Sequence, residues 1–190
     1  MTELIEKIKR EGQRLPGGIL KVDSFLNHQV DMGLMKRIGE SFAEFFSPMK
    51  PDKVLTIESS GIAPAGMTAL CLKVPLVVMK KQNSAISDAE RFGVNVRSFT
   101  KGLDYELTIS KKYLAKDERV VFVDDFLAMG EAALGVHDIV TQAEAELLGI
   151  GIVIEKSFQP GRGKLDALNI PVYSLARISH MSETALEFIE

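Results

Sequence analysis

The chain has 190 residues, which is the size of one ordinary domain. Hydrophobic residues make up 46% and charged residues 26%, a composition that predicts a sizeable core and excludes disorder as the main state. The 23 Lys and Arg residues against 26 Asp and Glu residues give a net charge of −3. This balance lacks the basic excess that binding to a nucleic acid backbone requires. We therefore expect no nucleic acid partner, and we expect any anionic ligand to be bound by local groups.

The supply of cysteine and histidine is small. Cys71 is the single cysteine, and with His28, His137 and His180 it shows no metal-ligand spacing. We expect Cys71 to be a small buried hydrophobe in a helix. Residues 1–12 have a charged amphipathic helix pattern, and no apolar run approaches the roughly 20 residues that span a bilayer. These features predict a cytoplasmic protein without a membrane partner.

The N-terminal third predicts a small lobe and a helix. Leu-Pro-Gly-Gly at 15–18 must turn, and an extended apolar stretch follows at 19–22, which indicates a lobe ahead of the main fold. Apolar residues three or four apart predict a helix over 31–46, ended by the Ser-Pro pair at 47–48. The apolar face of this helix fits either a core or a subunit interface.

The rest of the chain predicts a single α/β domain with a mostly parallel sheet flanked by helices. Two strand-helix-strand units imply parallel strands with right-handed crossovers, and their continuous apolar strands imply helices on both faces. The units are strand 54–57, helix 62–72, strand 75–79, and strand 119–123, helix 131–145, strand 147–154. The polar segment 82–95 is expected to be a lid, and residues 98–100 with 105–109 an antiparallel hairpin.

The most informative stretch is Val-Val-Phe-Val-Asp-Asp-Phe-Leu-Ala-Met-Gly-Glu-Ala at 120–132. A buried strand ends in Asp124 and Asp125, and a small-residue loop then opens a helix. Ligands bind at such strand ends, where the backbone N–H groups of the loop and the helix dipole favour a phosphate. Carboxylates beside a phosphate fit ribose hydroxyls or Mg²⁺. The pattern therefore indicates a ligand that is a sugar carrying phosphate and diphosphate.

This stretch resembles the phosphoribosyl diphosphate signature of the type I phosphoribosyltransferases, and the resemblance extends over the chain to the members that act on xanthine. It is carried by Leu-Lys-Val-Asp-Ser-Phe-Leu-Asn-His-Gln at 20–29, Ile-Glu-Ser-Ser-Gly-Ile-Ala-Pro at 57–64, Asp-Asp-Phe-Leu-Ala at 124–128 and Ile-Val-Ile-Glu-Lys-Ser-Phe-Gln-Pro-Gly-Arg at 152–162. The resemblance implies transfer of a phosphoribosyl group from phosphoribosyl diphosphate to xanthine, giving xanthosine 5′-monophosphate and diphosphate.

The resemblance assigns the donor site. Asp124 and Asp125 are expected to be catalytic and to hold the ribose. Binding of phosphoribosyl diphosphate is expected from Ala128, Met129, Gly130, Glu131, Ala132, Ser59, Ser60 and Lys81. Mg²⁺ is expected to accompany the diphosphate, with no residue assigned as its direct protein ligand. Leu127 and Ala128 stand where the wider family carries hydroxyl or acidic side chains, so binding of the 5′-phosphate is expected to rest on backbone amides.

Each part of the donor site has an ordinary structural alternative. The acidic pair could cap the helix that follows, Ser59 or Ser60 could cap the helix after strand 54–57, and Lys81 could belong to a solvated charge pair.

The resemblance places the purine under an N-terminal hood formed by about residues 1–30. Xanthine binding is assigned to Leu20, Asn27 and Lys156, with Lys156 on the 6-oxo group and Asn27 on the 2-oxo group. Phe158 is expected either to stack on the base or to be a core aromatic.

Two other functions stay open at this stage. The base could be guanine or hypoxanthine, since the fold and the donor site do not choose the base. A purine-responsive regulator with the same fold would need a DNA-binding appendage, for which the residues before Leu20 are too few. The family is typically dimeric, so a homodimer is expected.

Overall fold

The computed structural model of the protein describes residues 1–82, 90–98 and 103–189, and its elements alternate as the sequence predicts. In chain order they are α1 (Thr2–Glu11), β1 (Gln13–Leu15), β2 (Ile19–Lys21), a short helix Asp23–Asn27, α2 (Met32–Phe46), β3 (Lys53–Ile57), α3 (Ile62–Leu72), β4 (Leu76–Gln82), β5 (Arg91–Ser98), β6 (Leu103–Ser110), β7 (Arg119–Leu127), α4 (Glu131–Gln142), β8 (Glu146–Lys156), α5 (Gly161–Asp166), β9 (Val172–Met181) and β10 (Leu186–Phe188).

Eight of the described strands form one sheet in the order β10-β9-β8-β7-β3-β4-β6-β5. Strands β9, β8, β7, β3 and β4 are parallel neighbours in that order. Strand β10 and the β5–β6 hairpin add antiparallel edges. The predicted α/β class with a mostly parallel sheet is confirmed. The carboxyl ends of β3, β7 and β8 therefore meet at one edge, where ligands bind in open α/β sheets.

Helices cover both faces of the sheet. Alternate side chains of β7 point to opposite faces and pack with different helices. Val121 and Val123 pack with α1, α2 and α3, whereas Val120 and Phe122 pack with α4 and the hairpin. Helix α2 is capped by Asp31, whose Oδ1 accepts a hydrogen bond from the Leu34 backbone N at 3.0 Å. The apolar face of α2 belongs to the core, since its side chains Leu34, Ile38, Phe42 and Phe46 are fully buried.

Two details differ from the sequence prediction. Strand β7 continues through both carboxylates to Leu127 instead of ending at them. The hairpin is present, but its first strand is Arg91–Ser98, so residues 91–95 are strand and not lid. Val94 and Val96 face the backbone of Gly135 in α4, which explains the alternating pattern of this strand. Residues 83–89 of the predicted lid, and residues 99–100 of the predicted hairpin, lie outside the described residues.

Helix α3 is apolar nearly all round. Ala65, Thr68 and Ala69 form its buried face, while Leu70 is 69% exposed and Cys71 is also exposed. The prediction that Cys71 is buried is therefore wrong, because smaller neighbours form the inward face of its helix. None of the described helices is long and apolar enough to cross a membrane.

Candidate active site

The carboxylate pair lies near the carboxyl end of β7, where the two side chains have different surroundings. Asp124 is only 9% exposed, and its Oδ1 accepts a hydrogen bond from the Asp125 backbone N at 2.9 Å. Asp125 is half-buried and accepts from the Phe126 backbone N at 3.0 Å. Both bonds are made within the strand, so neither carboxylate caps helix α4, which has no side-chain cap.

Burial raises the pKa of Asp124 well above its usual range, and the neighbouring charge of Asp125 raises it further. The hydrogen bond from the Asp125 backbone N and the charge of Lys81 act in the opposite direction without cancelling the rise. Burial and the charge of Asp124 also raise the pKa of Tyr105. The free site thus holds a carboxylate that a cation or several hydroxyl donors would stabilise.

The loop after the pair, residues 128–132, has the geometry of an anion site, and we call it the phosphate loop. Gly130 precedes α4 with φ 86°, a left-handed conformation that favours glycine. The backbone O of Gly130 accepts from the Leu134 backbone N at 3.0 Å, which starts the helix. The N–H groups of the first turn of α4 have no partner within that helix and are available to an anion.

A second turn of similar character follows β3. The peptide bond between Glu58 and Ser59 is cis. Helix α3 begins at Ile62 without a side-chain cap, so the alternative in which Ser59 or Ser60 caps it is wrong. Gly61 is packed so closely that a Cβ there would lie 2.5 Å from Thr56 Oγ1 and 2.8 Å from Asp124 Oδ1. This turn therefore lies against the buried carboxylate.

The two lysines of β4 have different partners. Lys80 Nζ donates to Glu58 at 2.9 Å, and the backbone N of Lys81 donates to the same carboxylate at 2.9 Å. The exposed Lys81 side chain instead places Nζ 5.2 Å from the centre of the Tyr105 ring. Lys80 thus forms a solvated charge pair with Glu58. The Lys81 side chain instead lines the same cavity as Asp124.

The hood meets the sheet at Lys156, the last residue of β8. Lys156 Nζ donates to the backbone O of Gly18 at 2.8 Å and lies 5.6 Å from the centre of the Phe126 ring. Burial lowers the pKa of Lys156. The Leu20 side chain packs into the core, which leaves mainly its backbone for a ligand, and Asn27 lies exposed at the end of its short helix.

A cavity of about 210 Å³ brings together the donor-site parts on β4, β7 and the phosphate loop, whereas Ser59, Ser60, Lys156 and Asn27 are not among its lining residues. Its lining includes Asp124 and Lys81, the phosphate loop, and three further side chains, Arg97, Tyr105 and Phe126. None of these three side chains was assigned a role from the sequence. Arg97 and Tyr105 come from the hairpin, of which residues 91–95 were predicted as part of a lid, and Phe126 directly follows the acidic pair. Phe158 is 42% exposed, so the alternative of a core aromatic is wrong.

The donor set fits Mg²⁺ only in part. Carboxylate oxygens are ligands that Mg²⁺ prefers, and a cation would offset the buried charge of Asp124. Among the described residues, however, no group of three or more His, Cys, Asp and Glu side chains could hold a metal ion. A magnesium ion here would need most of its ligands from a bound diphosphate and water.

Comparison with known proteins agrees with this geometry. Residues 22–170 match the family model described as a phosphoribosyl transferase domain. The chain is 54% identical over 190 residues, covering both chains fully, to xanthine phosphoribosyltransferase 1 of Clostridium botulinum strain Hall. It is 51% identical to the xanthine phosphoribosyltransferase of Geobacillus thermodenitrificans, covering 100% of this chain and 98% of that one. The solved adenine phosphoribosyltransferase of Thermoanaerobacter pseudethanolicus has a TM-score of 0.75 at 25% identity, covering 91% of this chain and 99% of that one.

Proposed function

Because the chain belongs to the phosphoribosyl transferase domain family, we propose that it transfers the 5-phosphoribosyl group of phosphoribosyl diphosphate to xanthine, giving xanthosine 5′-monophosphate and diphosphate. The observation that carries the proposal is the buried Asp124, with Asp125 beside it, next to a phosphate loop without hydroxyl side chains. Similarity to xanthine phosphoribosyltransferases over the whole chain supports xanthine as the base.

The donor sugar phosphate would bind between β7 and α4. The N–H groups of residues 128–132 and the positive end of α4 would hold the 5′-phosphate. Asp124 and Asp125 would accept hydrogen bonds from the ribose hydroxyls. On a sugar that carries negative phosphate groups, the hydroxyls are the donors that a pair of carboxylates can bind. The raised pKa of Asp124 supports this role, because its carboxylate gains from every donor that the ligand supplies.

The diphosphate would bind at the turn after β3. The hydroxyls of Ser59 and Ser60, which do not cap α3, would donate to it, and the exposed Lys81 ammonium would contribute a positive charge. We propose that Mg²⁺ binds with the diphosphate, where it would offset the negative charge that develops on the departing group.

The purine would lie under the hood beside Lys156. The Lys156 ammonium would donate to the 6-oxo group, Asn27 would recognise the 2-oxo group, and Leu20 would offer a backbone contact. Phe126 lies next to Lys156 Nζ and is a better placed aromatic for stacking than the exposed Phe158. A base bound in this way would face the anomeric carbon of a ribose held by Asp124 and Asp125.

The reaction at the anomeric carbon passes through a state with oxocarbenium character. The work of the protein is then electrostatic: carboxylates beside the ribose favour its positive charge, and donors at the diphosphate favour its departure. The cavity of about 210 Å³ beside the phosphate loop, when filled by the sugar phosphate, would also keep water from the donor.

We also propose that the active species is a homodimer located in the cytoplasm. The mostly exposed Leu70 of α3 lies outside the core packing, and a second copy of the chain would bury it. The cytoplasmic location is supported by the single, exposed cysteine.

The proposed function is tested by steady-state assays of one preparation with xanthine, hypoxanthine, guanine and adenine. Xanthine should give the highest kcat/KM, and a preference for another base would reassign the substrate. The double variant Asp124→Asn with Asp125→Asn should lose transfer by roughly two orders of magnitude or more, the scale on which a removed transition-state charge partner acts. Phosphoribosyl diphosphate binding without turnover of any base would favour the regulator instead.

A further inference from the structure

The shape of the phosphate loop depends on what lies behind it, because its own side chains offer no hydroxyl groups to fix it. The backbone of Gly161, at the start of α5, fills this position. Gly161 N donates to the backbone O of Ala128 at 3.0 Å. A Cβ at Gly161 would overlap that oxygen and lie 2.9 Å from the Gly130 backbone N. The loop and α5 are thus in direct backbone contact, with no room for a side chain.

A second contact joins the same two elements. Lys164 Nζ of α5 donates to Glu131, the first residue of α4, at 2.5 Å. Helix α5 has only six residues and two glycines among them, so its own helix propensity is too low to hold it in place. Its position must be set by tertiary contacts.

The anchor of α5 is Glu155, whose side chain is fully buried. Glu155 Oε2 accepts from Arg162 Nη2 at 2.6 Å and from Arg162 Nε at 3.1 Å. Ser157 and Ser174 donate to the same carboxylate at 2.6 and 2.5 Å. Arg162 Nη1 also donates to the Val172 backbone O at 2.9 Å. Charge-assisted bonds in this geometry are directional, so α5 is fixed relative to β8 and β9.

None of the four side chains in this network, Glu155, Ser157, Arg162 and Ser174, was itself assigned to a substrate, although Glu155 directly precedes Lys156. Burial alone would raise the pKa of Glu155, but the hydrogen bonds from Arg162, Ser157 and Ser174 hold it below its usual range. Glu155 is therefore a carboxylate at neutral pH. Without Arg162, its remaining charged partner among the described residues would be Arg177, whose Nε lies 3.4 Å from Oε1.

We propose that Glu155 and Arg162 are positioning residues for the 5′-phosphate: they hold α5 so that Gly161 sets the shape of the phosphate loop. This inference rests on the proposed function only in taking the loop as the 5′-phosphate site. Displacing α5 moves the loop N–H groups and leaves the turn at Ser59 and Ser60 in place. The network therefore controls affinity for the phosphate on the sugar and not for the diphosphate.

The glycines of α5 offer a matched pair of variants. A Cβ at Gly161 meets the loop, whereas a Cβ at Gly163 meets no atom of the described residues within 4 Å. Both substitutions replace a glycine of the same short helix by alanine. We would measure binding of ribose 5-phosphate and of inorganic diphosphate by calorimetry, and the KM for phosphoribosyl diphosphate, with wild type, Gly161→Ala and Gly163→Ala.

Gly161→Ala should weaken ribose 5-phosphate binding and raise the donor KM by roughly ten- to a hundredfold, the effect of displacing a binding group by about 1 Å. Diphosphate binding should stay within about twofold, and Gly163→Ala should match wild type. Arg162→Lys keeps the charge beside Glu155 but loses the two-nitrogen contact. Arg162→Lys should also weaken ribose 5-phosphate binding, but by less than Gly161→Ala does. Binding is measured at a temperature where thermal melts show that the variant is folded.

Unchanged ribose 5-phosphate affinity in folded Gly161→Ala and Arg162→Lys would overturn the inference, as would an equal loss of diphosphate affinity. A wild-type protein that binds ribose 5-phosphate but transfers nothing to xanthine would overturn the proposed function alone. A wild-type protein that does not bind ribose 5-phosphate would overturn both.

Discussion

Replacing Asp124 with asparagine should make the free protein more stable while it removes activity. The substitution keeps the size of the side chain and the oxygen that accepts the Asp125 backbone N–H at 2.9 Å. It removes a negative charge from a group that is 9% exposed. The amide nitrogen takes the place of Oδ2, because Oδ1 is the oxygen that accepts from Asp125 and lies beside Gly61.

The size of the gain follows from the charge that is lost. Relieving an imperfectly compensated buried charge beside a second carboxylate is worth on the order of 1–3 kcal/mol. For a chain of this length, each kcal/mol shifts Tm by about 2–4 °C, so the expected rise is about 2–12 °C. Asp125→Asn is the matched control. Asp125→Asn removes the repulsion between the two carboxylates, but Asp124 stays buried and charged. The rise in Tm of Asp125→Asn should therefore be smaller than that of Asp124→Asn.

The stability gain of Asp124→Asn over wild type should increase as the pH rises. The folded pKa of Asp124 is raised, so the penalty of its carboxylate is absent below the unfolded pKa of about 3.9 and reaches full size above the folded pKa. Thermal unfolding of wild type and variant at pH 7 and at the lowest pH where both fold measures this. A variant that is less stable than wild type at pH 7 would refute the argument, as would a difference that grows as the pH falls.

Three further predictions concern the substrates and the assembly. Asn27→Ala should raise the KM for xanthine more than that for hypoxanthine, which lacks a 2-oxo group, and equal effects would remove Asn27 from base recognition. Lys156→Met keeps the length of the side chain but not its charge, and it should lower kcat/KM for xanthine by roughly ten- to a hundredfold, since a hydrogen bond from a charged group contributes about 1.5–3 kcal/mol. Leu70→Glu should shift the sedimentation of the protein toward a monomer, with the similarly exposed Lys36→Glu as a control. Unchanged sedimentation of Leu70→Glu would place the interface elsewhere.

The sequence predicted the parts of the fold that follow from local pattern. Apolar runs such as 54–57 and 119–123 can be recognised without knowing their neighbours, and helix 62–72 matches the structure at both ends. Helix α2 was predicted for the same reason, as residue spacing alone defines its apolar face. The order of strand, acidic pair and loop was also readable. It led to the correct family before any distance was known.

The features that could not be predicted from the sequence depend on contacts between distant segments of the chain. Strand β9 mixes polar and apolar residues because its end is exposed, and α5 is too short and too rich in glycine to show a period. The exposure of Cys71 depends on which face of an apolar helix meets the core. Arg97 and Tyr105 reach the site only because their hairpin joins the sheet beside β4. No local pattern marks any of these.

The bond between Lys156 and the hood has a consequence for how the base is chosen. In the free protein the ammonium already donates to the Gly18 backbone O at 2.8 Å. An ammonium has three N–H donors, so an incoming base can accept a second hydrogen bond from the same nitrogen while Gly18 keeps the first. The base and the β1–β2 turn are then joined through one ammonium, and binding of the base is coupled to the position of the hood.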